Sequence, residues 1–171
     1  EDYVTAAPKV LEYNVRFGDP ETQSILVRLE SDLVEICEAM LAGQTVRASG
    51  SAAGGEDSVS GSVAGKGLRD VTIRWSPGNS ACVVLASEGY PQKPRTGDVI
   101  LGLDDAAAVN GVTIFHAGTT RDDDSDYLTS GGRVLGVTAV GDTLDSALTN
   151  AYRAAETISW PGLQYRRDIG K

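Results

Sequence analysis

The chain has 171 residues, of which 41% are hydrophobic and 23% charged, an ordinary composition for a globular protein of one or two domains. Its 24 acidic and 15 basic side chains give a net charge of −9, which argues against nucleic acid or an anionic membrane as the main partner. No stretch approaches the roughly twenty apolar residues of a transmembrane helix, and no signal peptide is visible. We therefore expect a cytoplasmic protein.

The first informative segment is residues 10–17, which are rich in β-branched and aromatic side chains and predict a strand, paired with residues 2–5 in a hairpin. Alternate residues of a strand point to opposite faces. The predicted core face holds Leu11, Tyr13, Val15 and Phe17. On the other face, Glu12 and Asn14 can offer oxygens to Mg²⁺, and Arg16 can clamp a phosphate. The pattern equally suits a surface strand with a Glu–Arg pair.

The next segment predicts a helix whose start lies close to that polar row. Gly18 permits a sharp turn, Asp19 is a good N-cap, and Pro20 suits the first helical position. Apolar residues then recur at helical spacing and predict one continuous helix to about Ala42. They are Ile25, Leu26, Leu29, Leu33, Ile36, Cys37 and Met40.

The rest of the chain predicts a mixed α/β fold with a mostly antiparallel sheet and a packed helix. Eleven of the nineteen residues at 49–67 are Gly or Ser, which predicts a flexible linker. Strands are predicted at residues 70–75, 81–87, 99–103, 112–116 and 132–140. Asp142 or Thr143 is predicted to cap a helix with an apolar stripe down to Ile158. Cys37 and Cys82 are predicted to be reduced core residues.

Two further places could carry chemistry. His116 is the only histidine and could act as a general base, although a hydrogen-bonded structural role is the more ordinary one for a histidine at a strand end. In the segment 130–133, two glycines let the backbone approach a ligand closely, and Arg133 could reach a phosphate. A tight turn with a surface arginine explains the same segment without a ligand.

Residues 16–23, RFGDPETQ, resemble the signature of the phosphoribosylamine–glycine ligases, a family of the ATP-grasp superfamily. Further blocks resemble the same family in the same order and cover most of the chain outside residues 48–75. They are ACVVLASEGYP at 81–91, FHAGT at 115–119, SGGRVL at 130–135 and YRRDIG at 165–170.

The resemblance implies a domain organisation. Residues 1–47 would be the end of an ATP-grasp domain, a hairpin plus a helix, and residues 48–74 a Gly/Ser-rich linker. Residues 75–171 would form the small C-terminal α/β domain of the ligase. The upstream part of the same ligase, with its ATP-binding lysines and loops, has no counterpart in this sequence. We therefore expect the chain to be inactive by itself.

The resemblance also implies an activity of de novo purine biosynthesis. ATP would phosphorylate glycine to glycyl phosphate, and the amine of 5-phosphoribosylamine would attack it to give glycinamide ribonucleotide, ADP and phosphate. Glu12 and Asn14 would bind Mg²⁺ or Mn²⁺, and Asn14, Arg16 and Arg133 would contact the nucleotide. Arg16 and Asp19 would assist the reaction. Two alternatives stay open: another ATP-grasp carboxylate–amine ligase, or a non-catalytic interaction module derived from that fold.

Overall fold

A computed structural model describes residues 13, 15–42 and 67–170 of the chain. The chain divides into two compact units, one formed by Glu1–Val27 with Gly78–Lys171 and the other by Arg28–Pro77. The predicted boundaries near residues 47 and 75 concern the domains of a ligase, and they stay a prediction.

The larger unit is built on a three-stranded antiparallel sheet in the order β1-β5-β2. Its strands are β1 (Asn79–Ala86), β2 (Val112–His116) and β5 (Arg133–Gly141). Val83 of β1 lies opposite Val137 of β5, which in turn lies opposite Ile114 of β2. The strand predictions at residues 81–87, 112–116 and 132–140 are confirmed. β1 and β5 carry runs of buried apolar residues, whereas β2 is only partly buried.

One face of the sheet is covered by α4 (Leu144–Thr157). The Thr143 hydroxyl caps this helix by accepting from the backbone N–H of Ser146 at 3.1 Å, as predicted. The helix buries a row of alanines against larger aliphatic side chains of the strands, so helix and sheet approach closely. The core includes Val83, Leu85, Leu135, Val137, Ala139, Ala151, Ala154 and Ala155. The predicted antiparallel sheet with a packed helix is confirmed.

The opposite face of the same sheet carries α1 (Glu21–Leu26). The hydroxyl of Ser80 in β1 donates to the backbone oxygen of Ser24 at 2.6 Å. A side chain at Gly136 in β5 would begin 3.8 Å from the Gln23 amide nitrogen and 3.3 Å from the Cys82 sulfur. The glycine therefore leaves room for the Cys82 side chain on this face of the sheet.

The predicted strand at residues 70–75 is wrong, because a short 3-10 helix covers Leu68–Asp70 and only a single bridge forms, at Trp75. Three further short elements were not predicted. They are α3 (Leu103–Ala107) and a two-stranded antiparallel sheet of β3 (Thr119–Arg121) and β4 (Tyr127–Thr129). The predicted strand at residues 99–103 is wrong, because only single bridges form at Val99 and Leu101 before α3 begins. The backbone at Gly102 takes a φ of +81°, which favours glycine. The carbonyl oxygen of Thr157 also lies so close that a side chain at this position would clash with it.

The predicted continuous helix is also wrong, because α1 ends at Leu26 and α2 covers Leu33–Ala42. Between them the backbone pairs with a distant segment instead of with itself. Ser76 N donates to Arg28 O at 2.8 Å, and Glu30 N donates to Arg74 O at 3.0 Å. The Asp32 carboxylate accepts a hydrogen bond from Val34 N at 2.7 Å and so caps the start of α2.

The predicted strand at residues 10–17 is wrong where the structure describes it. Tyr13, Val15 and Phe17 are 80%, 94% and 53% exposed, so they form no core face. A strand needs a hydrogen-bonded neighbour, and no described residue pairs with this segment. The remaining residues of the predicted hairpin, including Leu11, and nearly all of the predicted linker lie outside the described residues.

Both cysteines are free thiols, but Cys37 is exposed on α2, so its predicted place in the core is wrong. The apolar stripe of α2 buries only Ile36 and Ala39 among the described residues. Cys82 is half-buried in β1. Of the helices in the described ranges, none is long and apolar enough to cross a membrane.

The sheet–helix core makes a direct prediction about stability. Leu85 is fully buried under α4, whereas Leu101 is 59% exposed. Leu85→Ala leaves a cavity and should lower the free energy of unfolding by about 2–5 kcal/mol. Leu101→Ala is the control and should change it by less than about 0.5 kcal/mol. Urea denaturation measures both, and equal losses in the two variants would contradict the described core.

Candidate functional site

Three of the predicted site residues lie in one open cleft of about 480 Å³ in the larger unit, which we call the turn cleft. They are Arg16, Asp19 and Arg133, which come from two distant parts of the sequence. The complete lining is Arg16, Phe17, Gly18, Asp19, Pro20, Glu21 and Arg133. The fold thus brings the start of β5 to the turn that precedes α1.

The turn is held by its own side chains. Gly18 N donates to the Glu21 carboxylate at 2.8 Å, and Thr22 N donates to Gly18 O at 2.9 Å. A side chain at Gly18 would begin 2.8 Å from that carboxylate and 3.2 Å from Arg16 Nη1. Glycine at this position therefore keeps Glu21 and Arg16 close to the backbone of the turn.

The predicted N-cap role of Asp19 is wrong. The N-cap residue of α1 is Pro20, and no side chain caps this helix. Asp19 Oδ1 instead accepts from Gln23 Nε2 at 2.8 Å, because Gln23 lies one helical turn further along. Because α1 has only six residues, its dipole contributes little positive charge to the turn cleft. The main positive charges in the turn cleft are therefore the guanidinium groups of Arg16 and Arg133.

Asp19 makes its other contacts with Arg133. Arg133 Nη1 donates to the backbone oxygen of Asp19 at 2.9 Å, and Arg133 Nε lies 3.6 Å from Asp19 Oδ2. The two side chains are 46% and 43% exposed, so the ion pair adds about 1 kcal/mol of stability at most. Its main effect is to orient the guanidinium group, which is held at two points.

The glycines of two sequence blocks explain why Arg133 lies there. Ser130 N donates to Gly118 O at 2.8 Å, and Gly118 N donates to Arg133 O at 2.9 Å. A side chain at Gly118 would begin 2.8 Å from the Cα atom of Gly131. The backbones around Gly118 and Gly131 therefore cross at a distance that only glycine permits. Strand β5 begins at Arg133, directly after this crossing.

A second cleft, of about 430 Å³, shares Pro20 and Arg133 with the turn cleft; we call it the strand cleft. Its wall is the α1-side face of β1 together with the segment after α4. The lining consists of Pro20, Cys82, Val83, Val84, Ala86, Tyr90, Arg133, Gln164, Tyr165, Arg166 and Ile169. Most of these side chains are apolar or aromatic.

Sequence reasoning missed Arg166, which lines the strand cleft. Arg166 Nε and Nη2 donate to the two carboxylate oxygens of Asp168 at 2.9 and 2.7 Å. These hydrogen bonds raise the pKa of Arg166 above its ordinary value. The available signal was the order Arg-Arg-Asp in the block at 165–170, because an acid two residues after an arginine can accept such a forked contact.

Cys82 lines the strand cleft but is not suited to be a nucleophile. Burial raises the pKa of its thiol, the nearby Thr138 hydroxyl lowers it, and the charge of Asp19 raises it further, so the net direction is upward. The protonated thiol is the weakly reactive form. Cys82 therefore acts as an apolar wall residue at neutral pH.

The contacts of His116 favour the structural role over a general base. Its Nδ1 lies 3.0 Å from Thr119 Oγ1, and its ring stacks on Tyr127 with 4.3 Å between centroids. Arg121 donates to the Tyr127 hydroxyl at 2.6 Å. Burial, together with the charge of Arg121, lowers the pKa of His116, so the ring is neutral near pH 7. It borders a third cleft, of about 450 Å³, that also includes Asp19.

The predicted metal ligands Glu12 and Asn14 lie outside the described residues. Within residues 13, 15–42 and 67–170, no group of three or more His, Cys, Asp or Glu side chains could hold a metal ion. The described part of the predicted polar row is Arg16 alone, so the metal site stays a prediction.

Known proteins resemble this chain over most of its length. Residues 80–171 match the family described as phosphoribosylglycinamide synthetase, C domain. Phosphoribosylamine–glycine ligase from Vigna unguiculata is 45% identical over 91% of this chain and 43% of the relative. The enzyme of that name from Pseudomonas aeruginosa is 46% identical over 97% of this chain and 33% of the relative. The chain thus spans between a third and just under half of these relatives.

A solved structure shows the same similarity. The crystal structure of phosphoribosylamine–glycine ligase from Thermotoga maritima is 34% identical in sequence, with a TM-score of 0.62. The match covers 94% of this chain and 33% of that chain.

The lowered pKa of His116 predicts a pH dependence of stability. Its ordinary value is 6.5, so between the two pKa values the unfolded chain binds more protons than the folded one. The free energy of unfolding should therefore fall as the pH is lowered from 7 to 5.5. Urea denaturation should show a smaller fall in His116→Gln. A His116 pKa at or above 6.5 in an NMR titration of the folded protein would contradict this.

Proposed function

The chain belongs to the family of the phosphoribosylglycinamide synthetase C domain, and on that premise we propose that it is the C-terminal part of a phosphoribosylamine–glycine ligase. The family resemblance seen in the motifs is confirmed. The proposed reaction joins glycine to 5-phosphoribosylamine through glycyl phosphate, with ATP converted to ADP and phosphate. Because the chain spans only 33–43% of the relatives, its main partner is the upstream part of the same ligase.

One observation carries this proposal beyond the sequence match. Arg133 and Asp19, 114 residues apart, are hydrogen-bonded in the turn cleft, which Arg16 also lines. Both residues lie in blocks that resemble the ligase family. That these three residues line one cleft supports the proposal.

The chemistry of phosphoryl transfer gives each residue a role. Negative charge spreads over the oxygens of the transferring group, and positive groups fixed in advance stabilise it. Arg16 would hold the γ-phosphate or the glycyl phosphate. Arg133, oriented by Asp19, would hold an oxygen on the other side of the turn cleft. The remaining acceptor capacity of the Asp19 carboxylate would suit the amino group of glycine or of the amine substrate.

The nucleotide and metal belong to the same proposal. Glu12 and Asn14 would bind Mg²⁺ or Mn²⁺ by an oxygen from each side chain, and Asn14, Arg16 and Arg133 would lie near the ATP phosphates. The metal ion, when bound, offsets charge on the phosphoryl group. The alternatives, another ATP-grasp ligase or a non-catalytic module, gain no support from the relatives, which share one enzyme name. The cytoplasmic location stays a prediction.

The proposed metal ligands are tested in the full-length ligase that contains this chain. Glu12→Ala and Asn14→Ala should each lower glycine-dependent ADP formation by about 100-fold or more, because developing charge is no longer offset. Each variant should also need a higher Mg²⁺ concentration for half-maximal rate. Asp105→Ala, an exposed acid on α3, is the control and should match the native enzyme.

Unchanged turnover in both variants would contradict the metal assignment. The chain of 171 residues, assayed alone, should form no ADP, since the part that grips the nucleotide belongs to the rest of the enzyme. Measurable turnover by the chain alone would contradict the proposed division of the active site.

A further inference from the structure

We infer that Ser87 is a positioning residue for Arg133, because it holds a β-bulge that turns the Arg133 side chain toward the turn cleft. The inference rests on the proposed function, in which Arg133 holds an oxygen of the transferring phosphoryl group. Ser87 is only 1% exposed, so it acts through Arg133 and touches no substrate itself.

The pairing of β1 with β5 shifts by one residue at the start of β5. Leu85 lies opposite Leu135, but the next residue of β1, Ala86, lies opposite Arg133. Two residues of β5, Arg133 and Val134, therefore oppose a single residue of β1, which is the arrangement of a β-bulge. Bulges re-aim side chains, and they are common beside active sites.

The bulge decides which face of the sheet Arg133 occupies. Leu135 and Val137 belong to the core under α4, and in a regular strand Arg133 would share their face. Because of the extra residue, Val134 joins that core instead and is fully buried. Arg133 points the other way and donates to Asp19 O at 2.9 Å, in the turn before α1. Without the bulge, the guanidinium group would point into an apolar core.

Ser87 holds the two residues that precede the bulge. Its backbone N–H donates to Gly132 O at 2.9 Å, and its hydroxyl donates to Gly131 O at 2.8 Å. Its own carbonyl oxygen accepts from Gln164 Nε2 at 2.7 Å, which ties Ser87 to the segment after α4. Two of the three polar groups of Ser87 thus fix the carbonyls directly before Arg133.

The hydroxyl bond matters because the backbone that it holds is made of two glycines, which rotate easily when a contact is lost. Among the described residues, the Ser87 hydroxyl is the donor that the Gly131 carbonyl oxygen has. A carbonyl that loses its donor inside the protein is destabilised until it finds another one. Removing the hydroxyl therefore favours a rotation of the Gly131–Gly132 backbone, and Arg133 moves with it.

The test uses the full-length ligase that contains this chain. Ser87→Ala keeps the backbone bond to Gly132 and loses the hydroxyl bond to Gly131. It should lower kcat/KM for ligation by about 10-fold, because the guanidinium group is displaced from its productive position.

Ser80→Ala is the matched control. Ser80 lies at the other end of β1, and its hydroxyl also donates to a backbone oxygen, that of Ser24, at 2.6 Å. Both variants should lower the melting temperature, since each loses one hydrogen bond of the same kind. Only Ser87→Ala should lower kcat/KM, and the control should match the native enzyme.

A double variant separates positioning from a general effect on the fold. In an enzyme that already carries Arg133→Ala, the change Ser87→Ala should cause no further loss of kcat/KM, because the group that Ser87 positions is gone. If Ser87 supported only the fold, kcat/KM would fall by the same factor with and without Arg133.

A crystal structure of the Ser87→Ala enzyme gives a readout that needs no activity. It should show Arg133 Nη1 beyond hydrogen-bond distance of Asp19 O. An unmoved Arg133 would overturn the inference, and so would native kcat/KM in Ser87→Ala or an equal loss with and without Arg133. If the native enzyme lacked ligase activity, the proposed function would fail, and the crystal structure would still decide whether Ser87 positions Arg133.

Discussion

The candidate site depends on the pair formed by Arg133 and Asp19. Arg133 donates to the backbone oxygen of Asp19 at 2.9 Å and lies 3.6 Å from its carboxylate, so one guanidinium group joins the turn before α1 to the first residue of β5. As an exposed pair it contributes little to stability. Its value lies in geometry, because it fixes the group that the turn cleft and the strand cleft share.

Glycines make that geometry possible. Gly118 lets the FHAGT and SGGR blocks cross at backbone distance, and Gly136 leaves room for the Cys82 side chain beside α1. Gly18 keeps the Glu21 carboxylate against the turn. Motif glycines that suggest ligand contact in the sequence therefore have a structural cause first: they bring two backbones together, and the arginine is placed as a consequence.

The sequence predicted the elements whose signals are local. The apolar runs of β1, β2 and β5 and the cap at Thr143 were found because burial and capping mark the residues themselves. The continuous helix at residues 21–42 was wrong because residues 28–30 pair with residues 74–76, and the sequence gives no sign of so distant a partner. The predicted core face at residues 13–17 was wrong for a similar reason. Whether a strand is buried depends on the segments that pair with it and pack on it, and the sequence of the strand does not reveal them.

The site was predictable in part. Arg16, Asp19 and Arg133 were singled out, and the structure brings them to one cleft, although Asp19 orients Arg133 instead of capping α1. Arg166 was missed although its fork to Asp168 is a local contact, because its place in the cleft depends on tertiary contacts such as the hydrogen bond from the Tyr152 hydroxyl to its backbone oxygen. Family resemblance supplied the rest, since no spacing rule leads from a strand and a turn to a particular ligase.

The central claim is that Asp19 and Arg133 act as one unit, and a double-mutant cycle in the full-length ligase tests it most directly. Arg133→Ala removes the guanidinium group and should lower kcat/KM by about 100-fold. Asp19→Ala removes the carboxylate that lies 3.6 Å from this group but keeps the backbone oxygen that accepts its hydrogen bond, so its loss should be smaller. The double variant should then be no worse than the worse single variant. Losses that multiply in the double variant would contradict the claim, since they would show two residues acting independently.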